Sequence, residues 1–312
     1  MSAHRFCITL DVMAKKYINI DTISDLHQMM HFNPPKHPLV SLVEHETNTT
    51  SLQAENVIYR AGFYVIACKT ILGDIKYGRG SYDFSNGTLM FVAPGQVISP
   101  SSSVFIEQGW SLFIHPDLIH GTGLSRKIHD YNFFNYEVNE ALHVSVDEES
   151  TLKDCADKIK QEYSQNIDKH TQEVMVSNII LLLNYCNRFY DRQFYTRKKA
   201  NSDVLQRFEL LLKEYFAGAI EHGLPSVSYF GDRLNLSPYY LSDLLLKSTG
   251  KTTLEHIHLE IVNNAKSLLL STDESISGIA YSLGFEHASH FTKLFKTQTG
   301  ESPSDFRRLN DC

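Results

Sequence analysis

The chain has 312 residues, 42% of them hydrophobic and 21% charged, with 29 Lys+Arg against 36 Asp+Glu and a formal net charge of −7. At roughly 100–200 residues per domain this length holds two domains or three, and the composition excludes disorder as the main state. Taken alone, the acidic balance argues against a nucleic-acid partner, because phosphate binding wants a basic face.

At the N-terminus, MSAHRFCITLDVMAKKY lacks the basic n-region, continuous apolar run and small-residue cleavage site of an export signal. The longest apolar stretch, residues 179–183, stops at Asn184, far short of the roughly 20 residues that cross a bilayer. Both features point to a cytoplasmic protein with no membrane partner. Residues 21–31, DTISDLHQMMH, read as one short helix capped by Asp21 or Thr22. From Pro38 to Ile119 the texture is β-branched and aromatic. PLVSLVEHE, VIYRAGFYVIACKTIL, IKYGRGSYDF, TLMFVAPGQVIS and SVFIEQGWSLFIH lie between turn signals such as Gly73-Asp74, Asn86-Gly87 and Pro94-Gly95. Short strands at this spacing predict an all-β barrel or sandwich.

After Asp147 the period changes to that of helices. Leu152, Ala156, Ile159 and Tyr163 mark one helix over 149–166, and Val176, Ile179, Ile180, Leu183, Cys186 and Phe189 mark another over 172–194. The apolar residues of the second occupy more than one face, so one face can dock inside the subunit while another, with Leu183 as the candidate, meets a second copy. Residues 196–204, basic and without apolar periodicity, are the expected linker. Short helices follow over 205–216, 226–234, 238–248, 253–270, 275–283, 288–297 and 304–309, with Gly250 and Gly300 closing two of them. The five cysteines (Cys7, Cys68, Cys155, Cys186, Cys312) are odd in number and form no CxxC, which speaks for reduced, buried thiols rather than a disulfide framework or zinc knuckle.

The C-terminal part repeats itself. Phe230, Gly231, Leu234 and Leu236 match Ile279, Ala280, Leu283 and Phe285 at an offset of 49, and Leu241, Leu244, Leu245, Thr249 and Gly250 match Phe291, Leu294, Phe295, Thr299 and Gly300 at 50. Each copy is a short helix, a tight turn and a longer helix with its apolar positions inward, which is the helix-turn-helix pattern whose second helix enters a DNA major groove.

The segments LSPYYLSDLLLKSTGKT (236–252) and AKSLLLSTDESISGIAYSLGFEHASHFTKLFKTQTGESPSDFRR (265–308), joined by one long helix, resemble the AraC family of bacterial transcription regulators. The resemblance is strong over 205–312 and weaker upstream, where LMFVAPGQVI and GWSLFIHPDLI resemble the cupin-like sensory domain of such regulators and the helical hairpin their dimerisation region. It implies an α+β chain with a cupin-like β-barrel domain (1–148), a dimerisation hairpin (149–195), a linker (196–204) and an all-α DNA-binding domain with two helix-turn-helix motifs (205–312). The implied partners are double-stranded DNA, RNA polymerase, a second copy in a homodimer and a small-molecule effector. No cofactor is implied.

On the second recognition helix Phe291, Leu294 and Phe295 should face inward, leaving His287, Ser289, His290, Thr292, Lys293 and Lys296 outside. Ser289, Thr292 and Lys293 fall on the positions that read bases in the family, and lysine can donate to guanine O6 and N7. Lys296, Arg307 and Arg308 meet phosphates or pair with carboxylates. On the first recognition helix Tyr239, Ser242 and Asp243 occupy the outer face. There the family often carries arginine in place of Asp243 and lysine in place of Leu246, and in the connecting helix arginine in place of Ile261. An aspartate can accept from cytosine N4 but repels phosphate. Residues 201–312 hold 10 Lys+Arg and 14 Asp+Glu, net −4; DNA meets a local face and helix N-termini, so this predicts weak non-specific binding, not none.

In the β-rich half Tyr64, Lys69, Tyr77, Tyr82 and Trp110 are candidates to line a ligand cavity. His115, His120 and His129 raise a metal-dependent cupin enzyme as an alternative, yet the two histidines of HPDLIHGT are five apart, a spacing that suits chelation on neither strand nor helix. A third reading is a regulator without ligand, controlled by a protein partner. No P-loop, GxGxxG, HExxH or nucleophile elbow occurs, so the expectation is a non-enzyme.

Overall fold

The computed structural model describes residues 16–45, 57–72, 87–98, 105–137, 140–217 and 223–310. The chain divides into two units. The first comprises Met1–Lys76, Phe84–Phe134 and Leu142–Asn187, and the second Tyr77–Asp83, Asn135–Ala141 and Arg188–Cys312. The first therefore holds most of the β-rich segments and most of the predicted hairpin, and the second holds the repeat.

In the first unit β1 (Lys16–Ile20), α1 (Ile23–Met29), β2 (Val40–His45), β3 (Val57–Ala61), β4 (Tyr64–Leu72), β5 (Gly87–Val92), β6 (Val97–Ile98) and β7 (Phe105–Ile114) are followed by two short helices, α2 (Pro116–Ile119) and α3 (Gly123–Lys127), and by β8 (Leu142–Val144). Five strands form one sheet in the order β2-β7-β4-β5-β8, and β1, β3 and β6 form another, β1 lying parallel to β3. The described strands thus make two sheets, and no closed barrel is formed among the described residues. The expected strand IKYGRGSYDF lies outside them. Thr22, not Asp21, caps α1, its hydroxyl accepting from the Asp25 amide at 3.0 Å.

Side chains alternate across the five-stranded sheet. One face carries Leu42, Ile66, Cys68, Leu89, Trp110 and Leu112, all buried, with Glu44 at its margin pairing with Lys160. The other face supplies Val65, Ala67 and Phe113 to a core completed by Ile20, Ile23, Leu26, Tyr59, Ala61 and Phe63. The helices α4 (Val146–Tyr163) and α5 (Thr171–Thr196) follow β8. A reciprocal capping box between Ser145 and Glu148 starts α4, and Leu152, Cys155, Ala156 and Ile159 are its buried stripe. Cys68, Cys155 and Cys186 are free and buried. Burial, with the charge of Glu149 adding to it, pushes the Cys68 thiol up to about 12, and burial holds Cys186 well above its ordinary value, as for inert structural thiols. Leu183 is fully buried inside the subunit, so it is not the partner-facing position expected of it.

In the second unit α6 (Lys198–Ala217) begins within the segment expected to be a linker. Residues 196–204 lack an apolar stripe, but Arg, Lys and Ala are good helix formers, and two buried polar side chains tie the segment down. Arg197 donates to the Tyr240 hydroxyl at 3.2 Å, and Asn201 to the Phe194 carbonyl at 2.9 Å. The helices α7 (Val227–Leu234), α8 (Pro238–Thr249), α9 (Thr253–Ser271), α10 (Ile276–Ser282), α11 (Ala288–Thr299) and α12 (Pro303–Asn310) follow. Phe208 of α6 meets Phe230 of the first motif edge-to-face at 5.2 Å, and Phe291 stands between Phe285 (5.5 Å) and Phe295 (5.9 Å) in the second. Ile261, where the family pattern often has arginine, is buried in α9.

Candidate nucleic-acid interface

The two copies of the repeat fold alike. In the turn between α7 and α8 Asn235 is left-handed (φ 56°), and the Leu236 amide donates to the Gly231 carbonyl at 3.0 Å; between α10 and α11 Gly284 is left-handed (φ 89°), and the Phe285 amide donates to the Ala280 carbonyl at 3.0 Å. Both longer helices end on a left-handed glycine, Gly250 and Gly300, just after a threonine whose hydroxyl bonds back to the preceding turn. The copies differ at the turn by one residue, Glu286. A Cβ on Gly231 would lie 2.6 Å from the Leu236 carbonyl oxygen, so the shorter first turn admits glycine only. The second has Ala280 at that place.

The helix α11 buries Phe291 and Phe295 and leaves Ser289, His290, Lys293 and Lys296 exposed, with His287 exposed at its N-cap. Leu294, expected inside, is half-buried because it flanks the stripe that the two phenylalanines centre. Thr292 is half-buried, its hydroxyl donating to the Ala288 carbonyl at 3.0 Å. Ser289, Lys293 and Lys296, spaced by four and three residues, share one outward face. Arg307 stands apart from it. Its guanidinium donates to three main-chain carbonyls at and beyond the end of α9, those of Leu269 (3.1 Å), Thr272 (3.3 Å) and Glu274 (2.7 Å), which otherwise lack intrahelical partners. Arg308 pairs with Asp305 at 2.8 Å.

The first recognition helix α8 is placed differently. Tyr239 is exposed, and Ser242 is half-buried with its hydroxyl 3.2 Å from that of Thr253. Asp243 is half-buried and accepts a hydrogen bond of 2.5 Å from Tyr136, a residue of the Asn135–Ala141 segment. At the start of the helix Glu140, from the same segment, accepts from the Ser237 amide at 2.6 Å and the Ser237 hydroxyl at 2.5 Å. Burial raises the Glu140 carboxyl above its ordinary value, against the pull of these bonds, and burial beside Asp243 raises the Tyr136 phenol. Neither Tyr136 nor Glu140 is legible from sequence reasoning, since neither belongs to a motif. The only trace is that Tyr240 and Asp243 stand where the second copy has His290 and Lys293.

A family of helix-turn-helix domains matches residues 230–309, spanning both motifs. The chain carries an AraC-type helix-turn-helix domain. Over 74 residues it is 36% identical to the bifunctional transcriptional activator/DNA repair enzyme AdaA of Bacillus subtilis, covering 24% of this chain and 35% of that protein. The HTH-type transcriptional activator RhaS of an Enterobacter species is 23% identical over 279 residues, covering 81% of this chain and 96% of that protein. Among solved structures, the C-terminal domain of the two-component response regulator yesN of Fusobacterium nucleatum is similar at 25% identity and a TM-score of 0.31, covering 34% of this chain and 98% of that one. Several of the curated relatives are matched over only 34–47% of their own length. Every expected DNA-contact residue, Tyr239, Ser242, Asp243, His287, Ser289, Thr292, Lys293, Lys296 and Arg307, falls within the matched residues, and of these Ser289, Lys293 and Lys296 share one open face.

The other expected sites lie in the first unit. The His115 ring caps α2, accepting from the Asp117 amide at 3.3 Å, and no cluster of three metal-ligating side chains stands among the described residues. Trp110 is buried, the Tyr64 ring lies edge-on to Phe134 at 5.1 Å, and Tyr77 and Tyr82 fall outside the described residues. Strand register aligns His45, Gly109, Lys69, Thr88 and His143 in one row across five strands. His45 shares a hydrogen bond of 2.7 Å with Ser111, and Thr88 one of 3.4 Å with His143, all four residues being buried.

Proposed function

We propose that this chain is a transcription regulator that binds double-stranded DNA in a sequence-specific manner. The observation that carries the reading is the pair of in-register helix-turn-helix units in an AraC-type domain, the second of which turns Ser289, Lys293 and Lys296 to solvent on one face of α11. Lys293 is the base reader, donating to guanine O6 and N7, and Ser289 reads beside it. Lys296 meets phosphate. A domain of net charge −4 binds DNA weakly without a matching sequence, so recognition rests on this local face.

The protein acts as a homodimer through α5. Along that helix Val174, Asn178, Leu181 and Tyr185 follow a four-three-four spacing on its outward side, with Val174 and Leu181 exposed although apolar. An effector, where the first unit takes one, is a small polar molecule held at the row of His45, Thr88 and His143, since a sheet interior seldom buries that many polar side chains on one face. A regulator of this kind also meets RNA polymerase. The test is retention of genomic DNA fragments by the full chain at low salt. Recovery of discrete fragments is expected, and failure to retard any fragment contradicts the reading.

A further inference from the structure

The two motifs serve as controls for one another. Along α11 the positions His290, Lys293 and Thr297 are exposed. Their counterparts along α8, at an offset of 50, are Tyr240, Asp243 and Lys247, and each of these is engaged by the chain itself. Tyr240 is 4% exposed, its ring against those of Tyr136 (5.2 Å) and Phe194 (5.1 Å) and its hydroxyl accepting from Arg197. Asp243 accepts from Tyr136, and Lys247 pairs with Asp191 at 2.7 Å. Ser237, the N-cap of α8, is held by Glu140, whereas the N-cap of α11, His287, makes no side-chain capping bond and is exposed. The sequence departs from its own repeat at the covered places: an aspartate replaces lysine where Tyr136 needs an acceptor, and a tyrosine replaces histidine where three aromatic rings meet.

We propose that Tyr136 and Glu140 are the two latches of an internal strap that withholds the first recognition helix from DNA. Asp243 is then the keeper of the strap rather than a base reader, and the loss of positive charge on α8 follows from that role. The strap continues at Ala141 directly into β8, where Leu142 and His143 pair with Leu89 and Thr88. A change of state in that sheet therefore has a covalent route to the latch. This inference rests on the DNA-binding reading above.

Tyr136→Phe removes one hydroxyl and keeps the ring that packs on Tyr190 and Tyr240. Wild type and variant, as full chains, are compared by hydroxyl-radical footprinting and titration on a fragment the wild type retains. The variant should bind about tenfold more tightly, the factor that one hydrogen bond to a charged group supplies. Its protection should lengthen by about one helical turn as α8 engages the next major groove. Should Tyr136→Phe fail to fold, Glu140→Gln, which loosens the hold on Ser237 while conserving shape, decides by the same readout. Equal affinity and equal protection in wild type and variant overturn the strap and leave DNA binding standing. Should neither protein retain DNA, the functional reading itself fails, and the strap with it.

Discussion

Single side chains decide both the turn and the reading face. At Gly231 the approach of the Leu236 carbonyl to 2.6 Å from a would-be Cβ leaves no room for alanine, so Gly231→Ala should destabilise the first motif by more than about 1 kcal/mol in chemical denaturation. The second turn already carries Ala280, and Ala280→Gly should cost no more than the usual helix penalty of about 1 kcal/mol. The buried stripe was legible at this scale. Phe230, Leu234, Leu241, Phe291 and Phe295 are all buried as their spacing requires. Asp243 was not, because a carboxylate on an outer helix face looks the same in sequence whether it faces a cytosine, water or a tyrosine hydroxyl from a residue 107 positions away. Arg307 carries a related ambiguity: a cation that meets phosphate near a recognition helix and one that donates to the last carbonyls of α9 carry the same letter.

Periodicity read the elements well wherever one face is buried against one neighbour. The helices α8, α9 and α11 begin within one residue of their expected starts, the first two capped by the Ser237 and Thr252 side chains. It failed at residues 196–204, where the helix is held by Arg197 and Asn201, polar residues that no apolar pattern reveals. It was ambiguous along α5, which is apolar on several faces. There the stripe of Val176, Ile179, Leu183 and Cys186 packs inside the subunit, and Leu181, one face over, is exposed. Leu181→Glu should therefore yield a folded monomer by sedimentation at micromolar concentration, whereas Leu183→Glu should unfold the first unit by burying a charge. A wild-type chain that sediments as a monomer contradicts a dimer through α5.

For the whole molecule the negative net charge is compatible with the proposed DNA-binding role because charge is unevenly spread between the motifs. The helix α8 has Asp243 and Leu246 where α11 has Lys293 and Lys296, and its flank is taken up by Tyr136, Asp191 and Glu140. The repeat, and so the presence of two motifs, could be read from sequence spacing alone; their inequality needed the packing, because the strap comes from a segment far away in the chain. The two sheets were legible only as β-rich texture, since register and pairing order depend on contacts between distant strands. On the proposed function the unequal motifs make the second the principal reader of DNA, and one titration tests that most directly. Wild type, Lys293→Ala and Asp243→Ala are each measured against a retained duplex and a scrambled one at two salt concentrations. Lys293→Ala should cost about 1–3 kcal/mol on the specific duplex only, while Asp243→Ala should bind as tightly as wild type or more tightly. A large loss with Asp243→Ala and little effect of Lys293→Ala would make α8 the principal reader instead.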